Sequence, residues 1–387
     1  MENPNPPPKP IREKTHPPLM VNPQKRIPLL RTATHHPYPE PTLPIKQSKT
    51  HPTTTTPNTV PPKNEKEESQ EASVFFIGTA TTLLTYGHIR LLTDPNLLHA
   101  GDHVHLGPGV TATRLTNPAV PDLASLPPVD CVLLSHYHED HFDREVEARL
   151  SRDVPIITTP HAKGCLTREE GKEGGAFRRV WGVREFEGVV LLSSPPPPPG
   201  VEGADTQDGK KKERVEAVRV TGMPGKHVPP GPLGMVNELL GAVPPTNGWL
   251  VELGWCCGVG DDLAGEEFET GYRIYISGDT LFVDELREIP RRLQGDKIDL
   301  MLVHLGGTTI PGPRMPLLMV TMDAKQGVQL MRLVDPDVTV PIHFDDYDVF
   351  CSPLDDFKKE VVAGGFGDRV VYLDRGEEYR FAVPRGS

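Results

Sequence analysis

Cysteine is scarce in this chain of 387 residues, which contains five thiols. They are odd in number and show no Cys-x-x-Cys spacing, so the sequence predicts neither a disulfide framework nor a thiolate zinc site. This usage is typical of a reducing compartment, and we expect a cytoplasmic protein. The thiols are Cys131, Cys165, Cys256, Cys257 and Cys351.

The chain also lacks long apolar runs and a surplus of basic residues. No stretch approaches the roughly 20 consecutive apolar residues that a membrane-spanning helix requires. The formal net charge is −12 at pH 7, whereas a protein that binds a polyanion needs a basic surface. We therefore expect no transmembrane segment and no nucleic-acid partner, and we expect a small-molecule or lipid-like substrate.

Apolar residues are sparse over residues 1–72, which are rich in proline, threonine, lysine and histidine. Such a composition cannot bury enough apolar surface to offset the entropy of ordering, so we predict a disordered tail. The stretch also lacks the apolar core of a signal peptide. Residues 73–387 are predicted to form one domain, interrupted at residues 194–214 by a disordered surface insertion rich in proline and charge.

Metal-binding side chains, in contrast, crowd into one short stretch. The sequence SHYHEDH directly follows the apolar run Cys131–Leu134. Residues two apart in an extended chain project to the same side, so His136 and His138 can hold one ion. Asp140 and His141 follow where the chain turns and can reach a second ion. Nitrogen and carboxylate ligands suit zinc, iron or manganese. The alternative to a metal site is a cluster of surface histidines.

Further apolar runs rich in β-branched residues lead to a residue that can bind metal. Taken singly, each such residue is more often a capped strand end or a satisfied core group. Strands that share a sheet edge would bring these ends together, and their common placement favours ligands. The runs are residues 89–93 before Asp94, 215–220 before His227, 272–278 before Asp279, 299–303 before His304 and 338–342 before His343.

Helices are predicted between several of these runs. Residues 144–150 follow Asp143, which suits an N-cap, and Pro290 should end a helix at residues 283–289. The other predicted helices are residues 323–334 and 354–362.

These residues resemble, in order, the motifs of the metallo-β-lactamase superfamily, and no ligand of its dinuclear pattern is missing. The resemblance spans about residues 73 to 382. It implies an α/β fold of the four-layer αββα sandwich type, which the succession of strands and helices also suits. Three stretches resemble the branch that contains L-ascorbate-6-phosphate lactonase and N-acylphosphatidylethanolamine phospholipase D: residues 77–83, 92–96 and 341–347.

The resemblance also implies a centre of two divalent metal ions, with Zn²⁺ expected and Mn²⁺ or Fe²⁺ as alternatives. A metal-bound hydroxide would attack a carbonyl carbon or a phosphorus atom. Asp140 would orient that hydroxide and relay its proton, while Asp94 would orient ligands without binding metal. The implied ligands are His136, His138 and His227 for the first metal, Asp140, His141 and His343 for the second, and Asp279 as the bridge.

Several residues near these motifs remain ambiguous. His304 should lie at the active-site edge, where it could contact substrate or donate a proton to the leaving group. It could equally pack and orient the loop. Asp346 and Tyr347 are weaker candidates of the same kind, whereas His103 and His105 are read as an exposed loop pair.

We therefore expect a dinuclear metal-dependent hydrolase acting on a small ester, lactone or phosphodiester. One alternative is a lipid phosphodiesterase of the N-acylphosphatidylethanolamine type, for which the apolar residues 228–240 would form a wall. Those residues could also be a loop and short helix that cover the core, which is slightly favoured. Another alternative is a mononuclear iron oxidoreductase with the same fold. A binding or scaffold protein that has lost catalysis is disfavoured, because the ligand set is complete.

Overall fold

The computed structural model describes residues 13–14, 16–35, 39–52, 69–107, 109–169, 173–193, 213–229, 231, 237, 243–258, 268–312 and 315–384. Over these ranges the chain forms two large β-sheets, with helices on their outer faces. None of the helices in this part of the chain combines the length and the apolar character that a membrane crossing requires.

Consecutive strands make up the first part of the described chain, and the α-helices lie between strands from the ninth strand onward. The strands are β1 (Glu13–Lys14), β2 (Leu19–Val21), β3 (Gln47–Lys49), β4 (Ser69–Gly78), β5 (Thr81–Tyr86), β6 (Ile89–Thr93), β7 (His103–His105), β8 (Thr111–Thr113), β9 (Cys131–Leu133), β10 (Ile156–Thr158), β11 (Val180–Gly182), β12 (Glu187–Ser193), β13 (Glu213–Met223), β14 (Gly248–Gly258), β15 (Phe268–Ile276), β16 (Leu300–His304), β17 (Thr309–Gly312), β18 (Met315–Met319), β19 (Val338–Ile342) and β20 (Glu377–Pro384). The α-helices are α1 (Arg144–Arg149), α2 (Pro160–Leu166), α3 (Glu288–Leu293), α4 (Ala324–Val334) and α5 (Leu354–Gly364).

Each large sheet joins an antiparallel part to a parallel part. In the first sheet, β1 and β2 both pair with β12, and the order continues β13, β14, β15, β16, β19. Strands β15, β16 and β19 are parallel. The second sheet has the order β11, β10, β9, β6, β5, β4, β20, β3, and its strands β11, β10, β9 and β6 are parallel. Parallel neighbours present their carboxyl ends at the same edge.

The period-two alternation of strand residues builds three apolar layers. Leu84 on β5 belongs to the core shared by both sheets, together with Val251 and Leu302 of the first sheet. Its neighbour Leu83 faces the other side, where it joins Val146 of α1. A third cluster packs β15 and β16 against helices α3, α4 and α5. The arrangement is helix, sheet, sheet, helix, which is the predicted four-layer αββα sandwich.

Parts of the N-terminal segment are built into this sandwich. Leu19 and Val21 are buried on β2, which adds to the edge of the first sheet beside β12. Strand β3 likewise pairs with β20 at the edge of the second sheet. The prediction of a disordered tail over residues 1–72 is therefore wrong for residues 13–14, 16–35, 39–52 and 69–72. A few apolar side chains suffice there because the rest of the chain already supplies the core that they enter.

The remaining boundaries of the predicted low-complexity segments are only partly described. Residues 1–12, 15, 36–38 and 53–68 of the expected tail lie outside the described residues, as do residues 194–212 of the expected insertion. Residues 213 and 214 belong to β13, so the predicted insertion extended two residues too far. None of the described cysteines, Cys131, Cys165, Cys256 and Cys351, forms a disulfide.

Three of the four predicted helices lie close to their predicted positions. Asp143 accepts the N–H of Val146 at 2.7 Å and begins α1, and helices α4 and α5 lie where they were predicted. The predicted helix end at Pro290 is wrong, because α3 contains this proline in its first turn. Proline is tolerated there, since the missing N–H would have no partner within the helix.

Candidate metal centre

The carboxyl ends of strands from both sheets meet at one edge of the sandwich and carry the predicted side chains there. The structure brings together all seven residues predicted as metal ligands, in two adjacent groups. The first group is His136, His138 and His227, and the second group is Asp140, His141, Asp279 and His343. Strand β9 leads into the histidine-rich turn, while β15 and β19 lead to Asp279 and His343.

Three imidazoles converge in the first group. Their candidate ligand atoms lie within 4.8 Å of one another. The ring of His136 lies 5.1 Å from that of His227 and 5.5 Å from that of His138, measured between centroids. The buried Nε2 atoms of His136 and His138 have no hydrogen-bond partner. Such unpaired buried nitrogens are costly unless a ligand satisfies them, and three imidazoles are a set that zinc accepts.

The second group is buried throughout and is centred on one carboxylate. Oδ2 of Asp279 lies 3.3 Å from Nε2 of His141 and 3.6 Å from Nε2 of His343. The same oxygen lies 4.0 Å from Nε2 of His227 in the first group. Oδ1 of Asp279 has no hydrogen-bond partner. This carboxylate therefore faces the imidazoles of both groups.

Backbone carbonyls contact two of the imidazoles at Nδ1, the ring nitrogen that faces away from the site. Nδ1 of His227 lies 2.5 Å from the carbonyl oxygen of Val320, and Nδ1 of His343 lies 2.9 Å from that of Leu305. A carbonyl only accepts, so each Nδ1 must carry the proton. Nε2 then presents a lone pair to the site, which is the form that binds metal.

Asp94 holds a third imidazole in the same way. Its Oδ2 lies 3.3 Å from Nδ1 of His141, and its Oδ1 accepts the backbone N–H of Ser135 at 2.7 Å. The hydroxyl of Ser135 in turn lies 2.9 Å from Nδ1 of His136. Asp94 thus contacts the far nitrogen of a candidate ligand, the position expected of an orienting residue.

Thr321 is a site residue that sequence reasoning missed. Its hydroxyl donates to Oδ2 of Asp279 at 3.0 Å, directly after the Val320 carbonyl that accepts from His227. A threonine and a backbone carbonyl belong to no ligand motif. The only signal in the sequence is their position just before the N-cap Asp323 of α4.

The protonation of the site follows from burial and from the neighbouring charges. Burial raises the pKa of Asp279, but the imidazoles of His343 and His141 lower it more, and the net pKa lies well below its usual range. Burial lowers the pKa of His227 to about 4. Burial lowers the pKa of His141 and of His343, but the neighbouring carboxylates, Asp279 first, raise each pKa more, and both lie above the usual value. Ionised carboxylates and neutral imidazoles bind metal, so metal binding at these two rings must displace a proton.

His304 lies inside the site and not on an open edge. The residue is fully buried, and its backbone N–H donates to the hydroxyl of Ser277 at 2.9 Å. Its ring stacks on that of His141 at 6.0 Å, and its Nε2 lies 3.8 Å from Oδ2 of Asp94. Both of the predicted roles remain compatible with this position.

The other ambiguous residues fall in two places. Asp346 and Tyr347 are buried beside the second group, and the Tyr347 hydroxyl accepts a hydrogen bond from Asn96 at 2.9 Å. His103 and His105 are exposed, as expected, but they lie on strand β7 of a hairpin and not in an irregular loop. Of the apolar segment at residues 228–240, only residues 228, 229, 231 and 237 are described.

The chain is similar in sequence to proteins named UPF0173 metal-dependent hydrolase, although no protein-family model matches it. The relative from Archaeoglobus fulgidus is 24% identical over 311 residues, which cover 80% of this chain and 98% of the relative. The relative from Thermodesulfovibrio yellowstonii is 22% identical over 308 residues, covering 77% and 91%. The predicted enzyme class, a metal-dependent hydrolase, agrees with these names.

Solved structures share the fold. An isothiocyanate hydrolase from Delia radicum gut bacteria has a TM-score of 0.56 and 18% identity, covering 80% of this chain and 99% of its own. A possible metal-dependent hydrolase from Veillonella parvula has a TM-score of 0.52 and 19% identity, covering 80% and 98%. The predicted fold class is confirmed.

Proposed function

We propose that the protein is a dinuclear metal-dependent hydrolase that acts on a small ester, lactone or phosphodiester. The proposal rests on the position of Oδ2 of Asp279, which lies within 4.0 Å of imidazole nitrogens from both groups. A carboxylate between two ligand groups is suited to bridging a pair of cations. In this proposal His136, His138 and His227 hold the first metal, Asp140, His141 and His343 hold the second, and Asp279 bridges them.

In the proposed reaction the bound ions and the side chains of the site would have different roles. Bound divalent ions would polarise the oxygen of the scissile group and lower the pKa of a water to about 7 from about 15.7. Asp140 is buried, and its Oδ1 lies 3.0 Å from Nδ1 of His138. In this proposal the carboxylate of Asp140 would orient the attacking water and accept its proton. Two redox-inactive ions would support hydrolysis, whereas a single iron would favour the oxidoreductase alternative.

His304 has two proposed roles, and the dependence of kcat on the leaving group distinguishes them. Its Nε2 has no hydrogen-bond partner, which supports donation of a proton to the leaving group. Its 3.8 Å distance from Oδ2 of Asp94 supports orientation of the ligands. If His304 donates the proton, His304→Gln should lower kcat most for substrates with poor leaving groups. If it orients ligands, the variant should lower kcat by a similar factor for all substrates.

The proposal is tested by metal analysis followed by a substrate screen. The panel is lactones, carboxylic esters, phosphodiesters, N-acylphosphatidylethanolamines and isothiocyanates; the last are included because the isothiocyanate hydrolase shares this fold. We expect two metal ions per chain and turnover of one of these classes. A cytoplasmic location is proposed on cysteine usage alone, because the five cysteines are odd in number and show no Cys-x-x-Cys spacing.

Matched carboxylate variants make this test specific. Asp140→Asn should lower kcat by roughly 10²–10⁴-fold, the range for loss of a general base. Asp299→Asn is the control, because Asp299 accepts the backbone N–H of Arg273 at the far end of the parallel strands. Equal activity of Asp140→Asn and the wild type would refute the proposed role of Asp140. Absence of bound metal from the active protein would refute the proposed function.

A further inference from the structure

A buried amide lies between the loops that carry the ligands of the second metal. Asn96 is fully buried, and its Nδ2 donates to two acceptors, each at 2.9 Å. One acceptor is the carbonyl of Glu139, the residue that precedes Asp140. The other is the hydroxyl of Tyr347, four residues after His343. One side chain thus connects the histidine-rich turn to the loop that follows β19.

Donors on the other side fix the orientation of this amide. Oδ1 of Asn96 lies 3.2 Å from Nη1 of Arg114 and 3.4 Å from the backbone N–H of Leu98. Both groups can only donate, so the oxygen of the amide must face them and the nitrogen must face Glu139. The guanidinium carbon of Arg114 also lies 5.2 Å from the centre of the Tyr347 ring. The amide and the phenol therefore belong to one buried polar network.

The same network holds the backbone at His343. The N–H of His343 donates to the carbonyl of Thr79 at 2.7 Å, and the N–H of Thr79 donates to Asp346 at 3.1 Å. Thr79 and His343 have φ values of 51° and 59°, in the left-handed region that costs free energy for residues with a Cβ. Arg114 contacts both Thr79 and Asp346. These contacts stabilise a backbone conformation that His343 would otherwise adopt rarely.

We propose that Asn96 and Tyr347 are positioning residues that set the geometry of the second metal's ligands and so its affinity. The inference rests on the dinuclear function proposed above. The network contacts the chain at Glu139, between His138 and Asp140, and also beside His343. It therefore supports two ligands of the second metal and one ligand of the first, whereas His227 is held by the carbonyl of Val320. Loss of the network should weaken the second metal more than the first.

The test measures metal affinity and not turnover. Tyr347→Phe removes only the hydroxyl that Asn96 contacts, and Asn96→Asp keeps the size and the acceptor while removing both donors. Tyr86→Phe is the matched control, because its buried hydroxyl donates to the carbonyl of Gly254 at 3.0 Å, at the end of β5 remote from the site. Metal-free protein is titrated with Co²⁺ against a competing chelator, and the visible absorption of Co²⁺ reports ligand geometry.

We expect the two Co²⁺ equivalents to respond differently to the substitutions. Each site variant should weaken the second Co²⁺ equivalent by about tenfold or more, the usual effect of removing an outer contact to a ligand. The first equivalent should change by less than about twofold, and the control should change neither. Unchanged affinities, or equal weakening of both equivalents, would overturn the inference and leave the dinuclear proposal standing. A wild-type protein that binds only one equivalent would overturn both.

Discussion

At the scale of single residues, the site depends on contacts that decide which nitrogen of each imidazole faces inward. His227 and His343 each use Nδ1 on a backbone carbonyl, and His141 uses Nδ1 on Asp94. Nε2 of each ring is thereby directed into the site. Loss of one of these contacts behind a ligand should consequently lower metal affinity by roughly 10–100-fold.

Thr321 gives the clearest prediction of this kind. Thr321→Val keeps the shape of the side chain but removes the donor to Oδ2 of Asp279. We expect metal affinity to fall by roughly 10–100-fold, measured by equilibrium dialysis with Zn²⁺. Thr339→Val is the control, because this equally buried hydroxyl on β19 makes no hydrogen bond. Equal affinities of the two variants would show that the contact does not orient Asp279.

The lowered pKa of His227 predicts a pH dependence of the metal-free protein. Burial holds this pKa at about 4, whereas the ordinary value is 6.5. Between these values the unfolded chain takes up a proton that the folded chain does not, so the free energy of unfolding decreases as the pH falls from 6.5 to 4. Urea unfolding at several pH values should show a shallower decrease for His227→Gln. Identical slopes for the variant and the wild type would contradict this origin.

The sequence allowed prediction of the candidate ligands and of Asp94 behind them, but not of the other residues that orient the ligands. His136, His138 and Asp140 stand in one recognisable spacing after an apolar strand. Thr321 and Asn96 act through a hydroxyl and an amide that only the tertiary structure brings to the site. Their residue types occur at many positions, so spacing carries no information about them.

At the scale of elements, predictions were best where a strand is buried on both faces. Strands β6 and β19 have the predicted bounds, because each mainly apolar run ends directly before a buried polar residue of the site, Asp94 or His343. Strand β15 begins four residues earlier than predicted, at Phe268, since its half-exposed first part has no apolar run. Strand β2 has three residues, which are too few to show a periodic pattern in the sequence.

Strand β2 nevertheless predicts a measurable contribution to stability. Leu19 is 3% exposed and enters the core between the sheets, while its neighbour Met20 is 50% exposed on the other side of the strand. Leu19→Ala should lower the free energy of unfolding by about 2–5 kcal/mol, and Met20→Ala by less than about 1 kcal/mol. Chemical denaturation measures both. Similar values for the two variants would mean that β2 is not packed as described.

At the scale of the whole molecule, the site exists only because two sheets pack against each other. The second sheet supplies Asp94 and the histidine-rich turn, while the first sheet supplies His227, Asp279 and His343. A site assembled across such an interface is absent from the unfolded chain, so metal binding should also stabilise the fold. This convergence was predicted from strand ends, but the packing of the N-terminal segment against both sheets was not.

The most direct test is a crystal structure of metal-loaded protein with anomalous scattering data at the metal absorption edge. We predict two peaks on either side of Asp279, each within about 2.0–2.2 Å of its nitrogen and oxygen ligands. One peak should lie among His136, His138 and His227, and the other among Asp140, His141 and His343. A single peak, or peaks away from Asp279, would contradict the dinuclear site.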